Sequence, residues 1–281
     1  MTDDSTRLAV LIDADNTSAK LIKEMFDELA AYGTITVKRA YGDWTNPHLN
    51  GWREVLLGNA ISPQQQFAYT VGKNATDSAL IIDAMDLLYS GNVDGFALVS
   101  SDSDFTPLAT RLREAGKRVI GVGQRKTPKA FVEACERFLF VEVLAGEPAG
   151  DGDHDETELA RSEPTRPIES VLTRALQKVD TDDDDWAPLS ALGNHLRRTD
   201  PSFDSRNYGF GKLSELVRAQ AYVETKTVSG TNGNGQLWVR RKPRRPAVQP
   251  TAKPAEKKTA KRAGTKTAKT ATDASGPTRK P

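Results

Sequence analysis

A single cysteine, Cys135, stands in 281 residues, so no disulfide can close within the chain and an apolar core must hold the fold. Histidine is almost as scarce, and His48, His154 and His195 show none of the spacings by which imidazoles share a metal. No apolar run approaches the length of a membrane span, and the polar start Met1-Thr-Asp-Asp-Ser-Thr-Arg has no signal-peptide core. The expectation is a cytoplasmic protein with no membrane partner. Neither a phosphate-cradling G-x-x-x-x-G-K-[ST] loop nor a complete G-x-G-x-x-G turn is encoded.

What is present is unevenly distributed. The formal net charge is +1, yet 14 of the 39 Lys and Arg lie at or after Arg240, against 2 of the 38 Asp and Glu. An acidic body is followed by a basic tail. Stretches such as Pro254-Ala-Glu-Lys-Lys-Thr-Ala-Lys-Arg offer too little apolar surface to offset ordering entropy. Residues 243–281 are therefore expected to be disordered and to attract nucleic acid through counterion release, a merely solubilising tail being the plain alternative. A second break, rich in Gly, Pro and acids, gives an acidic linker over 146–163.

Before that linker, residues 1–145 read as alternating strands and helices. Leu8 to Ile12 is a continuous apolar run suited to a buried central strand, and further strands are expected at 35–41, 66–71, 96–100, 118–122 and 139–143. Helices at 21–29, 52–57, 78–88 and 108–115, with a short one opened by Thr127-Pro128, lie between them. This alternation implies an α/β fold with a parallel sheet and helices on its faces.

Carboxylates mark the strand ends of that sheet. Asp13 directly follows Ile12, where a buried charge is costly unless a cation or donor holds it. Asp102 and Asp104 follow the run Phe96-Ala-Leu-Val-Ser100, and Asp77 opens an amphipathic helix. In an open parallel sheet such groups meet outside the carboxyl ends of the strands, and hard oxygen ligands suit Mg²⁺ or Mn²⁺. Each has a structural alternative: Asp104 can cap a helix, Asp77 can complement a helix dipole, and Asn16 can cap the first helix. Asp83 and Asp86 fall on the far side of the helix from Asp77, toward solvent or an arginine.

Two families share the first motif. Leu11-Ile-Asp13-Ala-Asp15-Asn16-Thr17 resembles the haloacid-dehalogenase phosphatases, in which the first Asp is nucleophile and the second general acid. A helix starting soon after Asp13 leaves no room for their flap, and Asp77 has no role in that chemistry. Ile12-Asp-Ala-Asp-Asn16, Lys73-Asn-Ala-Thr-Asp77 and Val99-Ser-Ser-Asp-Ser-Asp104-Phe more closely resemble the NYN domain, a PIN-like ribonuclease family, in its LabA-related bacterial branch. That resemblance implies metal ligation by Asp13, Asp77, Asp102 and Asp104, with Asn16 shaping the site, and Mg²⁺- or Mn²⁺-assisted hydrolysis of RNA. Lys73 and Arg39 are candidates to reach a backbone phosphate.

Residues 164–242 carry three helical stretches, the third at 208–219, and two strand-like runs, a winged-helix pattern. The acidic run Thr181-Asp-Asp-Asp-Asp185 lacks the Gly and distal Glu of a calcium loop. The spacing from Leu189-Ser-Ala-Leu-Gly193 through Asp200-Pro-Ser-Phe203 to Tyr208-Gly-Phe-Gly-Lys212-Leu resembles the LOTUS, or OST-HTH, domain. That family implies RNA binding, or a protein partner in some members. Arg206 and Lys212, with Arg197 and Arg198, are candidate phosphate contacts. A phosphatase and a non-catalytic RNA-binding adaptor remain the alternatives to a ribonuclease.

Overall fold

The computed structural model describes residues 6–67, 75–146, 167–229 and 235–242. Lys73, residues 147–163 of the expected linker and the basic tail lie outside them.

Among the described residues the first half forms a six-stranded sheet in the order β3-β2-β1-β4-β5-β6. Its strands are Arg7–Asp13 (β1), Thr34–Gly42 (β2), Ser62–Gln65 (β3), Gly95–Val99 (β4), Arg118–Gly123 (β5) and Arg137–Phe140 (β6), and every pairing is parallel. The chain winds outward from β1 to β3, returns to the centre, and winds outward again from β4 to β6. The switch point therefore lies between β1 and β4, at the position where ligands collect in such sheets.

Helices cover both faces: Ile22–Leu29 (α1), Trp52–Gly58 (α2), Ala75–Ser90 (α3), Thr106–Glu114 (α4), Lys129–Ala134 (α5) and Val141–Leu144 (α6). Side chains of a strand alternate between faces, and β1 shows the consequence. Leu8, Val10 and Ile12 pack with α1 and α2, whereas Ala9 and Leu11 pack with α3, α4 and α5. By the same alternation Asp13 falls on the α3 side. Phe96 and Leu98 of β4 also face α3, so the next even position, Ser100, turns toward Asp13.

Three boundaries differ from the sequence expectation. The third strand observed is Ser62–Gln65, an edge strand that tolerates its polar, proline-bearing sequence; of the expected 66–71, Gln66 and Phe67 are not in a strand and residues 68–71 lie outside the described residues. The last strand starts at Arg137 and ends at Phe140, and Val141 to Leu144 turn into α6, whose Val141 and Leu144 pack against the first cluster. Thr127 does not cap α5: its hydroxyl donates to the carbonyl of Gln124 at 2.6 Å, and extended Pro128 takes the cap position.

The second half has its own core, in which Leu172, Leu192, Leu196, Leu216 and Val239 are buried. Helices Ile168–Leu176 (α7), Leu189–Thr199 (α8) and Leu213–Arg218 (α9) accompany an antiparallel sheet of Ala187–Pro188 (β7), Val223–Ser229 (β8) and Gly235–Arg241 (β9) in the order β7-β9-β8. The expected single helix over 208–219 is broken. Asp204 caps a 3-10 turn at Ser205–Tyr208, Gly209 is left-handed at φ 81°, and α9 begins only at Leu213.

The two cores meet at the sheet's outer edge. The backbone N–H of Phe138 in β6 donates to the carbonyl of Pro201 at 2.9 Å, and Arg137 donates to the carbonyl of Phe203 at 2.6 Å. No helix among the described residues is long and apolar enough to cross a membrane.

Candidate metal centre

The crevice at the switch point is built around Asp13, whose side chain is fully buried. Its Oδ2 accepts from the Ser100 hydroxyl at 2.8 Å and from the Asn16 side-chain amide at 2.9 Å, and its Oδ1 accepts from the backbone N–H of Asn16 at 3.3 Å. Burial raises the Asp13 carboxyl above the usual range, and the Asn16 and Ser100 bonds partly oppose that rise.

Ser100 joins the two central strand ends. While its hydroxyl serves Asp13, its oxygen accepts the backbone N–H of Asp102 at 3.1 Å. Asp102 in turn caps the turn Ser103–Phe105, its Oδ1 accepting the N–H of Asp104 at 2.9 Å. The capping role anticipated for Asp104 thus belongs to Asp102. Asp104 is exposed and Asp102 half-buried.

Asp77 enters from the first turn of α3 and is buried. Its carboxyl is pushed up to about 6, first by burial and then by the negative charges of Asp13, Asp102, Asp104 and Asp15. The charges of all four act on Asp77, so Asp15, which is outside the ligand set implied by the resemblance, adds its charge to the crevice. Asp15 accepts the Thr76 hydroxyl at 2.8 Å, tying the loop after β1 to the start of α3.

The donor set is chemically suited to a hard divalent cation: clustered carboxylate oxygens, with no Lys or Arg paired to Asp13, Asp77 or Asp102 among the described residues. No three His, Cys, Asp or Glu side chains there already close around a common point. The residue types fit a cation; a closed coordination shell is not preformed.

Basic candidates are placed differently from one another. Arg39 is paired with Asp83, whose second oxygen takes the Tyr41 hydroxyl, so Arg39 braces β2 against α3 rather than facing the crevice. Asp83 thus meets the arginine expected of it, and Asp86 is exposed. Arg206 donates to both oxygens of Glu28 at 3.0 and 2.8 Å and to both oxygens of Asp204. Its guanidinium is therefore committed to carboxylates on α1 and in the second half. Lys212, Arg197 and Arg198 are exposed, and Tyr208 and Phe210 are half-buried against the C-terminal core.

Comparison with known proteins gives matches in the same two regions. Residues 7–142 match the model of the NYN domain and residues 163–234 that of the OST-HTH/LOTUS domain. An uncharacterized protein of Methanocaldococcus jannaschii is 31% identical over 121 residues, covering 42% of this chain and 47% of that protein. The match thus spans about half of that relative. Among solved structures, a Vibrio parahaemolyticus protein of unknown function aligns over 50% of this chain and 96% of its own at 19% identity, TM-score 0.41. A solution structure from Chromobacterium violaceum is 32% identical over 27% of this chain and 82% of its own, TM-score 0.24.

Proposed function

We propose that this chain, which carries an NYN domain followed by an OST-HTH/LOTUS domain, is a divalent-metal-dependent ribonuclease with a C-terminal RNA-binding module. The NYN domain belongs to the PIN-like nuclease superfamily. The observation that carries the reading is the crevice in which Asp77 is pushed up to about 6 by burial and by four neighbouring aspartates. Charges of one sign gathered at a switch point are costly unless a cation neutralises them.

Asp13, Asp77, Asp102 and Asp104 are the residues that would hold Mg²⁺ or Mn²⁺. When bound, such an ion supplies an activated water and offsets charge on the phosphate oxygens. The chain's own groups prepare that site. Ser100 and Asn16 fix the orientation of the Asp13 carboxylate, and capping fixes that of Asp102. Lys212 and its exposed basic neighbours in the second domain supply phosphate contacts that position RNA without reading its sequence.

The test is cleavage of end-labelled single-stranded RNA with Mn²⁺ or Mg²⁺ and an EDTA control. Asp13→Asn keeps the shape of the side chain and removes its charge, so the rate is expected to fall at least about a hundredfold with the fold intact. Asp15→Asn is expected to leave cleavage within about tenfold, since Asp15 contacts Thr76 rather than Asp13. A protein that releases phosphate from small monoesters, and loses that activity with Asp15→Asn, would be a phosphatase instead.

A further inference from the structure

Beside the carboxylate crevice lies a concavity of about 330 Å³, at the lower end of the range typical of ligand pockets. Asp15 and Thr76 line it on one side, and Asp43, Asn46, His48 and Gln66 line the rest, with buried Leu49 among them. Asp15 and Thr76 are joined by a hydrogen bond, and Thr76 directly precedes Asp77. The cleft and the crevice therefore share a wall.

The loop that forms the far side is held in place. Asp43 Oδ1 accepts from the Thr45 hydroxyl at 2.6 Å and from the Gln65 amide at 2.8 Å, and Asn46 Oδ1 accepts the backbone N–H of His48 at 3.1 Å. Gly42 approaches two of the lining residues closely: a Cβ there would lie 2.7 Å from Leu49 Cδ1 and 3.3 Å from Asp15 Oδ1. The absence of a side chain at this position lets Leu49 and Asp15 approach one another. The His48 side chain is exposed at this cleft, and its ring enters no hydrogen bond or ion pair among the described residues.

The chemistry of the lining selects the occupant. Asp15, whose Oδ1 accepts no hydrogen bond among the described residues, makes its wall of the cleft disfavour a phosphate, which belongs in the neighbouring crevice. What remains of a nucleotide is its uncharged base, a flat group that stacks on an imidazole. Carboxylate acceptors reward N–H donors and reject carbonyl edges. From this we infer that the cleft receives a base adjacent to the scissile phosphate, stacked on His48, and favours bases with an exocyclic amino group (adenine, cytosine, guanine) over uracil. The inference rests on the ribonuclease reading and adds a substrate preference to it.

Two measurements on the full-length chain keep the two ideas separable. The first is cleavage of oligouridylate carrying one internal adenosine, cytidine or guanosine. Cuts are expected to concentrate beside the amino-bearing base. His48→Ala should weaken that preference and raise KM by roughly five- to tenfold while leaving the maximal rate within about twofold. His48→Phe, which keeps the flat face without the imidazole nitrogens, should restore both. The second is the NMR signal of the His48 ring during titration with adenosine or uridine monophosphate. It should shift with adenosine monophosphate and move far less with uridine monophosphate. Cleavage without base preference, or with a preference that His48→Ala leaves unchanged, overturns the cleft assignment and leaves the nuclease reading standing. A selective His48 shift in a chain that cuts no RNA keeps the cleft and overturns the nuclease reading. No shift with either nucleotide overturns the cleft.

Discussion

Asp77 gives the crevice a pH signature. Its carboxyl is raised to about 6 in the fold from an ordinary value of 3.8. Its raised folded value means that the native state holds the proton more tightly than the unfolded chain, so this contribution to stability is complete below about pH 4 and lost as pH rises through about 6. In EDTA the thermal midpoint should therefore decline over that window beyond what the rest of the chain contributes, and Asp77→Asn should flatten the decline. Adding Mn²⁺ above pH 6 should raise the midpoint of the native chain and raise it much less in Asp13→Asn. Ser100→Ala strips one donor from a fully buried carboxylate and should cost about 1–3 kcal/mol by denaturant unfolding. Asp13 was legible in sequence because a charge directly after five apolar residues has few bland explanations. Ser100 was not, since a serine after a strand reads as an ordinary turn residue. Only the face alternation of β4, counted through Phe96 and Leu98, points it at Asp13. For Arg206 the sequence places one carboxylate nearby, Asp204 two residues before it, but not the second, since Glu28 is 178 positions away.

At the scale of elements, the register of α3 on the sheet decides where Asp77 points. That register is held by Asp83, which receives Arg39 and Tyr41 from β2. Burial and the Asp83 carboxylate drive the Tyr41 hydroxyl well above its usual range, so it stays protonated and donates at every physiological pH. Tyr41→Phe removes this bond without changing the ring and should lower stability by about 1–2 kcal/mol. It should also slow RNA cleavage severalfold with little change in KM, although Tyr41 belongs to no proposed ligand set. Rates and KM on the same labelled RNA check this. The strongly apolar strands were readable from composition alone. The polar edge strand β3 was not, because its pairing with β2, rather than its own hydrophobicity, makes it a strand. The same holds for α9: the motif Tyr208-Gly-Phe-Gly-Lys212-Leu located it, but left-handed Gly209 splits the segment and sets its start.

Over the whole described body, an ionic cluster binds the winged-helix domain to the sheet domain. Asp204 is largely buried, which alone would raise its carboxyl, yet bonds from Arg206 and the charges of Arg206 and Arg137 hold it below its usual range. Arg206→Ala leaves Asp204 and Glu28 without their shared partner and should cost about 1–3 kcal/mol. Limited proteolysis should then cut between the two halves faster than in the native chain. If Arg206 instead served RNA directly, the variant would lose affinity with unchanged proteolysis. The backbone bond from Phe138 to Pro201 has a separate consequence. β6 is an outer strand of the parallel sheet, and its outward N–H is covered by the second domain. A fragment ending near residue 145 would bare that row of donors and acceptors, the template by which strands recruit further copies. By capping that edge the second domain should act as a stopper against polymerisation, and its removal is expected to make the remaining fragment self-associate, read as a sedimentation coefficient that rises with concentration where that of the full chain does not.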